Sequence, residues 1–252
     1  MKKQLLKSAL IAVAGVGLLA GNTLAAPLSP TDHNDAGPDL YQAVNHLIST
    51  AYTDNDNITS RQTNFDQVWT DMVQFENEPW AIIGVSASYN NSFGTYTDIG
   101  TGSNKLTLAN ALTGFGFTGD GSNANPYIGD KQVISTASPF GFFLNTNQGT
   151  EFFSEIALNV DGLDHMTTYA LPEMLGQVIW TKNQSEATPE SWTVKGTAYL
   201  IGWEDISGGG DGDYDDMMFF VSKIQPVPEP TTMLLFGTGL VGLAGLAKRK
   251  RS

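Results

Sequence analysis

Six acidic side chains lie close together near the carboxyl-terminal end of the sequence, in a pattern that suits metal binding. They fall between residues 204 and 216, a stretch without Lys or Arg: Glu204, Asp205, Asp211, Asp213, Asp215 and Asp216. All the ligands would be oxygens, which select a hard cation, and carboxylates on a flexible loop suit Ca²⁺ better than octahedral Mg²⁺. Three consecutive glycines at 208–210 give the loop its backbone freedom. The stretch therefore predicts a calcium site.

The spacing of these acids differs from that of an EF-hand calcium loop. Asp211, Asp213 and Asp215 imitate the start of such a loop. The sixth position is Asp216, where an EF-hand requires Gly, and the twelfth is Ser222, where it requires Glu. Two alternatives to a calcium site stay open. The acids form a solvated turn, or they act as catalytic carboxylates.

Apolar segments flank the acidic loop on both sides. Thr197–Trp203 and Met217–Val221 are rich in apolar, aromatic and β-branched residues, which predicts two buried strands joined as a hairpin. Simple pairing would place Glu204 and Asp205 opposite the acids at 215 and 216. Like charges facing each other across a ladder destabilise it by up to about 1 kcal/mol per pair. A bound cation would remove that penalty.

The loop and its flanks carry a recognisable series of motifs. In order they are Glu204-Asp205, Gly208-Gly209-Gly210-Asp211, Asp213-Tyr214-Asp215-Asp216 and an apolar strand. The series resembles the bacterial family called domain of unknown function 4114. An upstream block, 154–165, is similar to that family's other signature, so the resemblance covers about residues 140 to 225. It names a domain and implies no particular reaction.

A second polar cluster lies within the upstream block and comprises Asp161, Asp164 and His165. The other two histidines, His33 and His46, lie far away in the amino-terminal region, so the sequence does not favour a zinc site. We expect His165 to orient an acidic neighbour or to be a buried, hydrogen-bonded side chain.

Charge and cysteine content restrict the classes of function. Of the 13 basic residues, seven lie in the two end segments, and all 26 acids lie between residues 27 and 230. Six basic residues against 26 acids leave this central part with a net charge of −20. Such a charge excludes a nucleic-acid partner and favours divalent cations, which relieve self-repulsion. Without Cys the chain has no disulfide and no thiolate site.

The amino-terminal end reads as an export signal. Residues 1–7 are basic, 9–20 are apolar, and Thr23-Leu24-Ala25 ends in a small residue, which predicts a signal peptide over 1–25 that is cleaved after Ala25. An uncleaved membrane anchor is the alternative.

The carboxyl-terminal end, residues 227–252, has three parts in succession. Pro228-Glu229-Pro230 comes first, an apolar segment from Thr231 to Ala247 follows, and Lys248-Arg249-Lys250-Arg251 completes the series. As a helix the apolar segment would be about 25 Å long, marginal for a bilayer core of about 30 Å. The three parts resemble the PEP-CTERM sorting signal, which implies transient inner-membrane insertion and removal by an exosortase. A permanent tail anchor is the alternative.

Between these ends, residues 26–226 read as one all-β domain with two short amino-terminal helices. Apolar residues recur at helical spacing from Leu40 to Ala51 and again from Phe65 to Val73. From Trp80 onward, short apolar runs are separated by Gly, Asn, Asp and Pro, which predicts an antiparallel β-sandwich, with a jelly-roll arrangement left open. The runs are 81–85, 106–112, 115–117, 133–135, 140–144, 152–158, 167–171 and 177–180.

We expect from these features a non-enzymatic, calcium-stabilised protein of the cell surface or extracellular matrix. The sorting-signal resemblance places it in an exopolysaccharide-producing Gram-negative bacterium. Two alternatives stay open. The first is a carboxylate-dependent enzyme acting on extracellular polysaccharide, since the sequence lacks the common hydrolase, kinase, dehydrogenase and metalloprotease motifs. The second is a glycan-binding module or adhesin, in which the turn-rich stretches 90–94 and 119–123 present polar groups and Tyr89, Phe93 and Tyr96 stack on sugars. Ordinary turns with framework aromatics are the alternative for these residues.

Overall fold

The computed structural model describes residues 39–63, 67–71, 80–81, 91–112, 121–128, 131–132, 139–146, 148–182 and 188–227. Within them the chain forms one α-helix, α1 (Leu40–Ile48), several 3₁₀ turns and fourteen strands. The strands are β1 (Trp69–Asp71), β2 (Trp80–Ala81), β3 (Asn91–Asp98), β4 (Ser103–Leu112), β5 (Tyr127–Ile128), β6 (Lys131–Gln132), β7 (Gly141–Asn145), β8 (Glu151–Phe153), β9 (Met166–Leu171), β10 (Val178–Lys182), β11 (Glu190–Thr193), β12 (Ala198–Trp203), β13 (Met217–Ser222) and β14 (Ile224–Pro226).

The strands on either side of the acidic loop form the predicted hairpin. β12 and β13 pair antiparallel from Ala198 with Ser222 to Gly202 with Met218, and β9 pairs antiparallel with the other edge of β12. All six residues of β12 and all six of β13 are buried. Apolar side chains at successive positions point to opposite faces of a strand, so burial at every position means that both faces of this sheet are covered.

One face of this three-stranded sheet packs on a four-stranded sheet with the order β4-β3-β7-β8. The ring of Phe93 in β3 stacks on Phe219 of β13 with a centroid distance of 3.9 Å, and it meets the edge of Trp203 at 6.3 Å. These three side chains are fully buried. The contact fixes the end of β12, where the acidic loop begins, against β3.

The opposite face of the three-stranded sheet is covered by α1. Leu40, Ala43, Val44 and Leu47 form the buried stripe of the helix and pack in one cluster with alternate residues of the sheet, including Leu200 and Phe220. The helix therefore lies where the first apolar periodicity predicts one. The helix ends at Ile48, and the next residue, Ser49, has a left-handed backbone conformation.

The second apolar periodicity predicts a helix over residues 65–73, and for residues 69–71 that prediction is wrong. These residues form β1, which pairs with β14. Trp69 also exchanges both backbone hydrogen bonds with Phe140, at 2.7 and 2.9 Å. The indole of Trp69 is fully buried against the rings of Phe142 and Tyr199. Non-local pairing and aromatic packing therefore override the local helical spacing.

Most of the predicted strands that fall on described residues are present, and the sheets are predominantly antiparallel. The pairing of β5 with β10 is parallel. The run predicted as a strand over 152–158 ends at Phe153, and Ile156–Leu158 forms a 3₁₀ turn instead. The runs at 115–117 and 133–135 and most of the run at 81–85 lie outside the described residues.

Both predicted end segments also lie outside the described residues, namely the signal peptide over 1–25 and the apolar segment that follows Pro230. Among the residues that are described, no helix combines the length and apolarity needed to cross a membrane.

Candidate metal centre

Glu204 is the first residue of the acidic loop. It follows β12 directly, and its backbone N–H donates to the carbonyl of His165 at 3.0 Å, which extends the pairing with β9 by one residue. The side chain is fully buried. Its Oε1 accepts a hydrogen bond from the backbone N–H of Tyr214 at 2.9 Å, whereas its Oε2 is buried with no hydrogen-bond partner in the described part of the chain. A buried carboxylate oxygen without a partner requires an explanation, and a bound ion is one.

Two further acids converge on Glu204. One carboxylate oxygen from each of Glu204, Asp211 and Asp213 lies within 4.8 Å of the others. Calcium binds oxygens at about 2.3 to 2.6 Å, so two oxygens on opposite sides of one ion are about 5 Å apart. Asp213 is almost fully buried and Asp211 is exposed, so the group opens toward solvent at one end. The size and chemistry of the group fit one calcium ion.

The glycine run has a geometric role at this group. Gly208, Gly209, Gly210 and Gly212 all have positive φ angles, of 92°, 85°, 49° and 82°. A Cβ atom on Gly210 would collide with Oε2 of Glu204, the same oxygen that has no hydrogen-bond partner among the described residues. The loop therefore needs glycine at 210 both for its backbone conformation and for access to that oxygen.

The remaining three acids, Asp205, Asp215 and Asp216, do not belong to this group. The antiparallel ladder ends at Gly202 and Met218, and Trp203 instead forms a parallel bridge with Asp215. The predicted opposition of carboxylates across a continued ladder is therefore wrong. Oδ2 of Asp216 instead accepts a hydrogen bond from the backbone N–H of Asp205 at 2.9 Å.

Burial of several acids in one place shifts their protonation. Burial raises the pKa of Glu204 to about 7, and the charges of Asp213 and Asp211 add to this rise. Burial also raises the pKa of Asp216 to about 8, with further contributions from the charges of Asp205 and Glu204. The pKa of Asp205 is raised as well, chiefly by burial. Without a nearby positive charge these carboxylates do not all ionise readily, and a bound cation would supply that charge.

The second polar cluster is connected to the acidic loop. Nε2 of His165 lies 2.9 Å from Oδ2 of Asp161, and Nδ1 lies 3.2 Å from the carbonyl oxygen of Glu204. The ring is fully buried and stacks on Phe152 with a centroid distance of 3.9 Å. Oδ2 of Asp161 also accepts a hydrogen bond from the backbone N–H of Gly208 at 2.9 Å. His165 therefore orients an acidic neighbour and is also a buried, hydrogen-bonded side chain.

The pKa values of Asp161 and Asp164 are shifted in opposite directions. Although burial acts to raise it, the hydrogen bonds from Gly208 and His165 lower the pKa of Asp161 to about 2. For Asp164, burial raises the pKa to about 7, opposed by one hydrogen bond from the backbone N–H of Met166. The carbonyl of Asp164 accepts a hydrogen bond from the hydroxyl of Tyr214 at 2.9 Å. The cluster thus holds the acidic loop at two separate points.

Asn91 and Tyr214 contribute to the site although the sequence does not single out either as a site residue. Asn91, the first residue of β3, donates from Nδ2 to Oδ2 of Asp205 at 2.7 Å across 114 positions of the chain. Tyr214 has a φ angle of 59°, unusual for a residue other than glycine, and its N–H and hydroxyl both bind site residues. The sequence places Asn91 in a turn-rich stretch and does not connect it with the acidic loop, whereas the structure shows that it begins a strand. Tyr214 lies inside the motif series, and its position there is a usable signal.

The aromatic side chains considered for sugar stacking are not available to a ligand where they are described. Phe93 and Tyr96 are fully buried in β3. Tyr89 lies outside the described residues. Phe93 and Tyr96 are therefore ordinary core residues of the sheet.

Comparisons with known proteins agree with both resemblances found in the sequence. The model of the family described as Domain of unknown function (DUF4114) matches residues 134–223, and that of the PEP-CTERM protein-sorting motif matches residues 226–251. No curated protein matches the chain. The sorting motif marks proteins that are exported, transiently anchored in the membrane and processed by an exosortase. The chain therefore carries a domain of unknown function 4114, which contains the whole acidic loop, followed by a PEP-CTERM protein-sorting motif.

Proposed function

We propose that this exosortase-processed extracellular protein is a non-enzymatic component of the cell surface or matrix, whose acidic loop binds calcium. The observation that carries the proposal is the position of Glu204 Oε2, a fully buried carboxylate oxygen without a hydrogen-bond partner among the described residues, beside Asp211 and Asp213. Extracellular polysaccharide is the proposed surrounding of the mature protein. The proposed architecture is a β-sandwich, supported by the packing of Phe93 in one sheet on Phe219 in the other.

The role of the ion in this proposal is structural. It neutralises buried carboxylates at the point where β12 leaves the sheet and β13 enters it. Extracellular calcium modules bind with dissociation constants of about 10⁻⁴ to 10⁻³ M. A site filled at ten times its dissociation constant stabilises the folded chain by about 1.4 kcal/mol, which corresponds to a rise of a few degrees in Tm.

A carboxylate-dependent enzyme is the second candidate, and the raised pKa of Glu204 favours it because a general acid must stay protonated near pH 7. Glycoside hydrolysis requires two carboxyls about 5 to 10 Å apart on either side of a sugar-sized cleft. Glu204 and Asp213 are instead almost completely buried, and with Asp211 they converge on one point. Convergence supports ion binding. Polysaccharide turnover that disappears in Glu204→Gln while calcium affinity persists would establish the enzyme instead.

Thermal melts of the full-length chain test the calcium site. The wild type, Asp213→Asn and the control Asp56→Asn, an exposed acid in a 3₁₀ turn, would be melted in chelator, calcium, magnesium and high sodium chloride. The proposal requires a calcium-specific rise in Tm for the wild type and for Asp56→Asn, and a clearly smaller rise for Asp213→Asn. General screening of the acidic surface would respond to every salt and would not depend on which acid is removed. That outcome would overturn the calcium site.

A further inference from the structure

Asn91 lies outside the segment matched by the domain family. Its side chain is fully buried. Nδ2 donates to Oδ2 of Asp205 at 2.7 Å, so the amide and carboxyl groups are immediate neighbours. The other oxygen of each group, Oδ1 of Asn91 and Oδ1 of Asp205, is buried and lacks a hydrogen-bond partner in the described chain.

Two buried acceptors without donors, on side chains that are hydrogen-bonded to each other, are unfavourable. Each unsatisfied buried group costs about 1 to 3 kcal/mol, and more if it is charged. Neither atom can donate to the other, because an amide oxygen and a carboxylate oxygen are both acceptors when the acid is ionised. A cation would satisfy both at once. Asn91 is neutral, so its unused oxygen is an observation separate from the clustering of acids.

A further acid, Asp216, lies next to Asp205. Its Oδ2 accepts the backbone N–H of Asp205 at 2.9 Å, which places its carboxyl group beside that residue. Neither Asp205 nor Asp216 joins Glu204, Asp211 and Asp213 in the group of oxygens that lie within 4.8 Å of one another. An ion held by that first group therefore leaves the negative charge of Asp205 and Asp216 without a directly bound counter-ion.

We propose a second divalent-cation position, at which Oδ1 of Asn91, Oδ1 of Asp205 and the carboxylate of Asp216 are the protein ligands. It rests on the proposed function only in assuming that this loop takes hard cations. Amide and carboxylate oxygens are the donor types that calcium accepts, and water completes the coordination. Together, two divalent ions would neutralise four of the six negative charges in the loop.

The second ion has a structural consequence that the first does not. Asn91 begins β3 in the four-stranded sheet, whereas Asp205 follows β12 and Asp216 precedes β13 in the three-stranded sheet. An ion bound by all three ties the two sheets together at the loop end. The first position, by contrast, uses only residues of the hairpin.

Calcium stoichiometry tests the second position. The full-length chain would be titrated with calcium chloride by calorimetry after removal of metal by a chelator, and bound calcium would be counted by elemental analysis. We expect two ions for the wild type, one for Asn91→Ala, and two for Asn145→Ala, a control that replaces an exposed asparagine on the neighbouring strand β7. Asp216→Asn keeps an acceptor for the N–H of Asp205 and should also bind one ion. It provides the same readout if Asn91→Ala does not fold.

The possible results separate this inference from the proposed function. No bound calcium would overturn both. One ion in the wild type, lost in Asp213→Asn and kept in Asn91→Ala, would support the proposed function and overturn the second position. Two ions in the wild type that both persist in Asn91→Ala and in Asp216→Asn would also overturn the assignment of these ligands.

Discussion

Oδ2 of Asp161 lies 2.9 Å from Nε2 of His165 and accepts the backbone N–H of Gly208 at the same distance. A single carboxylate oxygen therefore connects a buried histidine to the glycine run of the acidic loop. The other ring nitrogen of His165 faces the carbonyl of Glu204. Two polar clusters that are separated by about forty positions in the sequence are thus joined by hydrogen bonds. These bonds hold the acidic loop at its first residue and at its glycine run.

Asp161→Ala should destabilise the protein and loosen the loop. The change removes hydrogen bonds from His165 and Gly208, and hydrogen bonds to a charged group contribute about 1.5 to 3 kcal/mol in favourable cases. Because Asp161 is partly exposed, we expect a loss of about 1 kcal/mol in the free energy of unfolding. Urea unfolding measures it. Asp98→Ala, which removes an exposed acid in β3, is the control, and an equal loss in both variants would contradict the role of Asp161.

Gly210→Ala should weaken calcium binding specifically. The added Cβ would collide with Oε2 of Glu204 and displace that oxygen from the cation. We expect at least a tenfold increase in the calcium Kd, equivalent to about 1.4 kcal/mol. Calorimetric titration measures the change.

Gly208→Ala is the matched control for this substitution. Gly208 also has a positive φ angle, but a Cβ there would have no atom within 4 Å. Both variants carry the backbone penalty of about 1 to 2 kcal/mol for a non-glycine residue in that conformation. Any loss of calcium affinity caused by this backbone penalty should therefore appear in both variants, and Gly210→Ala should show a larger loss than Gly208→Ala. Equal affinities in the two variants would show that Glu204 Oε2 is not a ligand.

Asp164→Asn should change the pH dependence of stability in the metal-free protein. Burial raises the pKa of Asp164 to about 7, above its value of about 3.9 in the unfolded chain. Between these values the folded state binds more protons than the unfolded state, so stability falls as pH rises, by up to about 1.4 kcal/mol per pH unit. The amide in Asp164→Asn cannot ionise, and its oxygen can still accept the N–H of Met166.

Urea unfolding in chelator at pH 4 and pH 8 measures this effect. The variant should match the wild type closely at pH 4, where Asp164 is protonated in the folded state, and should be more stable at pH 8. Asp98→Asn, at an exposed position, should retain the pH dependence of the wild type. A constant difference between Asp164→Asn and the wild type at both pH values would contradict the shifted pKa.

The mature protein should begin at Ala26 and lack the residues from about Pro228 to Ser252. The first boundary follows from the signal peptide predicted over 1–25, and the second follows from the sorting motif over 226–251. Intact-mass analysis of surface or secreted material measures both. A mass that retains Lys248 to Arg251 in exported protein would show a permanent anchor.

The sequence determined the hairpin around which the site is built. Residues 198–203 and 217–222 are apolar at almost every position, and such runs form strands that are covered on both faces. The stripe from Leu40 to Leu47 determined the helix that covers one of these faces. Burial requirements of this kind are local, so they can be read from residue type and spacing. The acidic loop and both sequence families were recognisable for the same reason, since each motif is contiguous in the chain.

Only the tertiary structure decided how the six acids divide. Glu204 converges with Asp211 and Asp213, whereas Asp205 contacts Asn91 from a strand 114 positions away. Tertiary contacts also decided the structure at Trp69. Its spacing in the sequence predicts a helix, but it lies in a strand that pairs with residues 226 and 140. These outcomes depend on which sheets pack together and on where the ladder between β12 and β13 ends. Contacts between side chains that are distant in the sequence determine both the sheet packing and the end of the ladder. The spacing of residues along the chain does not predict those contacts.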